Sequence, residues 1–318
     1  MAIIKMIEIT ISSSIRVKPR RDLTIASWDT TLGSYLLLSS TMTRSYTWKP
    51  LLLIALAAAL WQRAPGAEAI RVLVLTGRSD PSHDWRQTSE ALERVLGATG
   101  RFAVQIEVDP SRLQPATLAG FEVLIVNYNG PRWGEHTEKA IEEFVAQGKG
   151  LVSFHGVSYG PFMGTSQQGK QWIHRPETAW RAWPEILGAF WAPGDIGHSI
   201  PHTFRVRILD HAHPITRGMP QEFSVRDELY HRMSLRAEAR VLAVAYDDPQ
   251  MRGTGKDEPI CWVVPWGRGR AFHTTLGHDH TVLRQPGVAT LLCRATEWAA
   301  TASVTLPGWL EQESLPPR

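Results

Sequence analysis

From Ile70 onward the chain alternates short, wholly apolar runs with amphipathic stretches of helical length, and that alternation leaves few folds open. "RVLVLT" (71–76) reads as a strand buried on both faces, and "FAVQIEV" (102–108), "FEVLIVNY" (121–128) and "LVSFH" (151–155) read as its companions. "DWRQTSEALERVLGATG" (84–100) puts Leu92, Val95 and Leu96 on one helical face, and "GEHTEKAIEEFVAQGKG" (134–150) does the same with Ile141, Phe144 and Val145. Strands alternating with helices of this length predict a parallel, doubly wound α/β sheet.

Past residue 155 the pattern changes. Residues 156–201 are rich in Gly, Pro and Trp, with a short helix expected around "ETAWRAWPEILG". "TFRVRIL" (203–209), "ARVLAVAYD" (239–247), "PICWVVPW" (259–266) and "GRAFHTTL" (269–276) read as strands, the last two joined by a hairpin at Gly267, and a helix is expected over about 288–300. The expectation is one domain: a flavodoxin-like, mostly parallel sheet completed by an antiparallel C-terminal section.

The first 69 residues read as an export leader. "LLLIALAAAL" (51–60) follows Arg44 and Lys49 and ends in "APGAEA", where Ala67-Glu68-Ala69 fits a small-residue cleavage site. The apolar run has ten residues, against the ~20 of a membrane span, so no stable anchor is expected after cleavage. Residues 1–41 read as a non-structural extension and 42–69 as the signal peptide, which implies a periplasmic or secreted protein whose mature chain begins near Ile70. The leader also carries much of the net charge of +3. From Ile70 the chain has 26 Lys/Arg and 27 Asp/Glu, which gives no argument for nucleic acid.

All twelve histidines lie in this near-neutral body. In an open α/β sheet, ligands bind beyond the carboxyl ends of the strands. The residues just past each expected strand are therefore candidates for a site. The first strand is followed by His83 and Asp84, the third by Asn127, Tyr128 and Asn129, the fourth by His155, and the last by "GHDH", which carries His278, Asp279 and His280. Three histidines at three strand ends suit one shared cleft. If His83, His155 and His278 hold one zinc or similar divalent ion, each ring nitrogen sits ~2.0–2.1 Å from it.

Three other patterns compete. "GTSQQGK" (164–170) imitates a phosphate-binding loop, but Gln171 stands where Ser or Thr is needed and no strand immediately precedes it, so no nucleotide is expected. "GVSYG" (156–160) fits G-x-S-x-G, and Ser158, Asp227 and His278 fall in the order of an α/β-hydrolase triad. Against it, Pro161 and Gly164 sit where the helix of the elbow should run. "HSIPH" (198–202) has the i, i+4 spacing of a metal pair, which Pro201 argues against. The tryptophans of the 172–191 segment, Trp172, Trp180, Trp183 and Trp191, suit either a core or flat faces for sugar rings. Cys261 and Cys293 are expected as two separately buried thiols, with pairing the alternative in an oxidising compartment.

Taken together, "HDW", "LIVNYNG", "FVAQGKGLVSFHG", "HPITRGMP", "RDELYH", "EPICWVVPWGRGRAFHTTLGHD" and "EWA" resemble the ThuA-like trehalose-utilisation family from about Ile70 to Thr305. Residues 306–318 fall outside that likeness as a C-terminal tail. The resemblance implies a fold like that of the class I glutamine amidotransferases. Here His155-Gly156 lies near the position of their nucleophilic cysteine, so glutaminase chemistry is not expected. It implies carbohydrate utilisation and the processing of 3-keto-glycosides, and it adds Asp227, Glu228 and Tyr230 to the site. The expected function is metal-assisted processing of a small sugar substrate, with Asp279 or Glu228 as acid or base and Asp84, Trp85, Asn127, Asn129, Trp172 and Trp191 against the substrate. A non-catalytic sugar-binding module and a serine hydrolase built on Ser158 are the alternatives.

Overall fold

The computed structural model describes residues 68–169 and 171–315. The extension over 1–41 and all of the signal peptide except Glu68 and Ala69 lie outside them. Thirteen strands are described: β1 (Ile70–Leu75), β2 (Phe102–Glu107), β3 (Val123–Val126), β4 (Gly150–Phe154), β5 (Thr165–Gln168), β6 (Gln171–His174), β7 (Ala189–Phe190), β8 (His202–Ile208), β9 (Glu222–Asp227), β10 (Ser234–Leu235), β11 (Arg240–Tyr246), β12 (Asp257–Trp266) and β13 (Gly269–Thr274). The helices are α1 (Trp85–Ala98), α2 (Pro115–Leu118), α3 (Glu135–Ala146), α4 (Trp183–Leu187), α5 (His280–Leu283) and α6 (Pro286–Thr301).

Nine strands make one sheet in the order β2-β1-β3-β4-β13-β12-β11-β8-β9. The first five run parallel, and β12, β11, β8 and β9 are added antiparallel in turn. The two-sided apolar character of β1 is what this layering requires. Val72 and Val74 pack with Leu92, Val95 and Leu292 on the α1/α6 side, while Leu73 and Leu75 pack with Ile141, Phe144 and Trp183 on the α3/α4 side.

Two expectations needed adjustment. The helix expected around residues 177–188 is interrupted. A single 3-10 turn over Pro176–Thr178 precedes α4, whose Pro184 occupies the first turn, where its missing N–H costs nothing. The segment read as a tail from residue 306 is docked instead: Leu310 and Leu315 are buried in the α1/α6 core. Cys261 on β12 and Cys293 on α6 are buried free thiols, and burial pushes the Cys261 thiol up to about 12. Among the described residues no helix is long and apolar enough to cross a membrane.

The sequence reading missed β9. Counting reversals from β13 through β12, β11 and β8 makes β9 run in the direction of the parallel strands. Its carboxyl end therefore reaches the same rim as those of β1, β3, β4 and β13. Asp227 at that end fastens the rim: its carboxylate accepts the Gly277 amide at 2.7 Å and the Glu228 amide at 2.8 Å.

Candidate metal centre

Each of the three histidines is delivered by the loop that ends a parallel strand. The loop after β1 turns on Asp80, whose carboxylate accepts the Ser82 amide at 2.8 Å and a hydrogen bond from His83 Nδ1 at 2.9 Å. Tyr159 donates its hydroxyl to the same carboxylate at 2.8 Å. Burial alone would raise the Asp80 carboxyl, but the His83 and Tyr159 bonds outweigh it and hold Asp80 down at about 2. With Nδ1 committed, His83 presents its Nε2 lone pair, and that atom is buried with no hydrogen-bond partner.

His155 leaves β4 at φ 48°, a left-handed conformation that costs a residue with a side chain ~1–3 kcal/mol. The imidazole thus sits at the apex of the turn that leaves β4. Nδ1 donates to the Thr275 carbonyl at 2.8 Å, so Nε2 carries the lone pair, and it meets the Tyr230 hydroxyl at 2.9 Å. Burial, reinforced by the nearby His83, drives the imidazole pKa well below its usual value, so the ring stays neutral and able to ligate.

His278 follows β13 directly after Gly277, whose φ of 121° and contact with the Phe154 ring leave no room for a Cβ. Its Nδ1 lies 3.3 Å from His155 Nε2 and 3.3 Å from a Glu228 carboxylate oxygen. The bond to Glu228 raises the His278 pKa; conversely, burial pushes Glu228 up but its histidine partners outweigh that and keep it ionised.

The three rings converge. One nitrogen from each lies within 4.8 Å of the others, and the ring centroids are 4.8–5.3 Å apart. Two features fit a bound cation. Two of the rings give their second N–H to a carboxylate or a backbone carbonyl, as metal-ligating histidines do, and the buried His83 Nε2 is left for an electron-pair acceptor. Three imidazole nitrogens beside a cavity suit zinc or a similar ion.

His83 and His278 of this centre line a cavity of about 630 Å³. Tyr159, Trp172, Trp191 and Tyr230 supply its aromatic walls, and Glu228 and His198 face it. The tryptophan cluster thus divides. Trp180 and Trp183 stack at 5.0 Å inside the core, Trp191 is equally buried and packs behind Tyr159 and Tyr230, and Trp172 lines the cavity beside Tyr159. Asn129 also reaches it, donating to the Gly156 carbonyl at 2.7 Å.

Other expected residues are occupied elsewhere. Asp84 caps α1, accepting the Arg86 and Gln87 amides at 3.0 and 3.2 Å. Asn127 braces that helix through Thr88 and Ser89, and Trp85 stacks under Arg86. Asp279 caps α5 by accepting the Thr281 and Val282 amides, so "GHDH" is a turn into a helix rather than an extended ligand row. Asp227 is buried and spends its carboxylate on the two rim amides; burial raises it to about 7.

The competing sequence patterns do not form the sites they imitate. Ser158 is buried and donates to the His155 carbonyl at 2.8 Å, so its hydroxyl is not presented to a histidine. "GTSQQG" falls in the β5–β6 hairpin, with Lys170 outside the described residues, and lacks the strand–loop–helix frame of a phosphate loop. His202 bonds the Ile200 carbonyl through Nδ1 at 2.8 Å, apart from His198. Asp80, Tyr159 and His198 were overlooked as site residues. The first stands three positions before His83, and the second is hidden inside the G-x-S-x-G decoy.

Comparison with known families matches residues 71–299 to the ThuA family model, described as trehalose utilisation. Among solved structures, a ThuA-like protein from Parabacteroides merdae superposes with a TM-score of 0.62 at 24% identity, covering 79% of this chain and 100% of that one. A ThuA-like protein from Bacteroides uniformis gives 0.59 at 19% identity, covering 76% and 98%. A β-galactosidase from Rahnella sp. R3 shares the fold over 74% of this chain and 32% of its own, at 16% identity and a TM-score of 0.50. No match is found among curated proteins. With the family model spanning most of the sheet and every strand end that carries a centre histidine, the chain belongs to the ThuA trehalose-utilisation family.

Proposed function

We propose that the cavity is an active site for a glycoside or disaccharide bearing a ketone at C3, with a divalent cation on His83, His155 and His278. The observation that carries this reading is the convergence of three ring nitrogens within 4.8 Å, one of them buried and unpartnered, beside an aromatic-walled cavity. A cation held there supplies Lewis acidity toward a ketone oxygen, worth several kcal/mol of charge stabilisation. The chain's own residues do the rest. Glu228, kept ionised by its histidine neighbours, is the base that removes the C2 proton, which the adjacent ketone acidifies. The C–H electron pair forms the C1–C2 double bond as the C1–O bond breaks. Trp172 offers a flat apolar face to the sugar rings, and Tyr230 keeps its proton because burial raises its pKa far above the usual value.

We place the mature protein outside the cytoplasm, on the leader over residues 42–69; N-terminal sequencing should then find a chain starting near Ile70.

The test of function joins metal analysis to turnover. The purified protein should carry about one equivalent of divalent metal and release the aglycone from a 3-keto-glucoside. Tight sugar binding without turnover would instead favour the non-catalytic module.

A further inference from the structure

We propose that His198 is a catalytic residue of this cavity, the group that protonates the departing aglycone oxygen. The inference rests on the glycoside-cleaving reading above.

His198 stands outside the metal-binding trio but shares its cavity and its carboxylate. Glu228 lies between them: one of its oxygens is 3.3 Å from His278 Nδ1 and 3.7 Å from His155 Nε2, and the other is 3.6 Å from His198 Nδ1. A base at the cation end and an imidazole one carboxylate further out match the order of events along the substrate. The C2 proton leaves beside the ketone, and the glycosidic oxygen departs on the far side of C1.

The position is built rather than incidental. His198 forms a β-bridge with Tyr230, and the Ser199 amide donates to the Leu229 carbonyl at 2.9 Å, so its loop is stitched to the segment that carries Glu228. Gly197, just before it, lies so close to the buried His231 that a Cβ would come within 2.8 Å of the His231 Nε2. His231 is in turn fixed by Asp247 through a 2.9 Å bond. At the ring itself, Nδ1 donates to the Ser199 carbonyl at 2.8 Å, which leaves Nε2 of this cavity-lining residue for a substrate. The side chain is 44% exposed, so it has room to meet a substrate. Histidines that merely brace a fold, such as His231, are buried on all sides; His198 is held at its backbone and at one nitrogen only.

The step balances. Glu228 takes the proton from C2, the C–H pair becomes the C1–C2 double bond, and the C1–O bond breaks. The aglycone oxygen takes the Nε2 proton of the His198 imidazolium, leaving a neutral ring and a protonated Glu228 that both re-equilibrate with solvent. No oxidant or reductant is consumed in the step.

General acid catalysis of this kind contributes typically ~10²–10⁴-fold and matters only where the leaving group needs a proton. The experiment compares wild type with His198→Gln and His198→Ala on two 3-keto-glucosides, one with a methyl aglycone and one with p-nitrophenol. Both variants should keep the wild-type zinc stoichiometry, which also reports that they fold. Turnover of the methyl glycoside should fall about 10²-fold or more, while that of the nitrophenyl glycoside should fall less than about ten-fold, because nitrophenolate leaves unaided. Equal losses on both substrates, or no loss on either, would overturn the assignment of His198 while leaving the cavity's function standing. A wild-type protein inert toward both glycosides would overturn the underlying reading, and the role of His198 with it.

Discussion

His83→Ala and His278→Ala are each expected to lower bound divalent metal to below about a tenth of an equivalent and turnover by roughly 10³-fold or more. Each variant leaves two imidazoles where a catalytic zinc needs three protein ligands. The Lewis acid is asked for several kcal/mol, and each 1.36 kcal/mol is a factor of ten in rate. Asp80→Asn should fall between these and wild type, weakening metal affinity about 10–100-fold. It leaves the three ligands in place but replaces the carboxylate that orients His83. The graded series separates a metal centre from a cluster of structural histidines, in which Asp80→Asn would affect stability and not metal content. His155→Ala is the less informative variant, because it also changes a residue held at φ 48°. Elemental analysis of the dialysed proteins and zinc titration with a chelating indicator are the measurements. Full metal content in both His83→Ala and His278→Ala would remove the cation from the mechanism.

The three candidate ligands were legible in the sequence because each follows a run that reads as a buried strand, wholly apolar in "VLVL" and mostly so in "LVSF" and "GRAFHTTL". Such a run marks a strand buried on both faces, parallel strands point their carboxyl ends one way, and a histidine just past each end must arrive at one rim. Glu228 and Tyr230 had no such marker. "EFSVRD" alternates in and out like any sheet-edge strand, and nothing local says that four antiparallel steps return it to the direction of β13. They were reached only through family resemblance. Asp279 failed for the opposite reason. Its neighbour His278 made it look like part of a ligand row, but an Asp before a helix is a preferred N-cap, and the cap won. The tryptophans divide because their sequence context is uniform, whereas α4 carries Trp183 under the sheet and the β6 hairpin carries Trp172 over the cavity. His198 was visible only as half of a metal-like pair. Its actual partner, Glu228, is thirty residues away along the chain and is brought to it by the bridge to Tyr230.

Arg294→Met should destabilise the protein by about 3–5 kcal/mol without altering bound metal, a separation that tests which part of the family resemblance is architecture. Arg294 lies on α6 and is 3% exposed. Its guanidinium donates to five carbonyls: Nε to Ile215 at 2.5 Å, Nη1 to Leu306 and to Pro307 at 2.5 and 2.8 Å, and Nη2 to Pro214 and Arg217 at 2.7 Å each. Methionine fills similar volume but donates nothing, so five acceptors lose their partner together, at about 1–3 kcal/mol for each that water cannot reach. Arg294→Lys should also be costly, because an ammonium has three donors on a flexible stem where the fork offers five in a plane. One helix turn on, Glu297 works in the opposite sense, accepting the Thr305 and Leu306 amides at 2.8 and 3.0 Å and the Arg101 guanidinium at 2.9 Å. The pair of charged side chains thus binds "HPITRGMP" and the segment from Thr305 to α6, which is why the chain stays ordered past the point where the family likeness ends. Urea unfolding followed by circular dichroism gives the stability change, and a loss below about 1 kcal/mol would mean that water replaces the guanidinium at those carbonyls. The "HPITRGMP" block therefore contributes backbone acceptors to a structural clamp, and the chemistry proposed for this chain rests with the histidines at the carboxyl ends of its parallel strands.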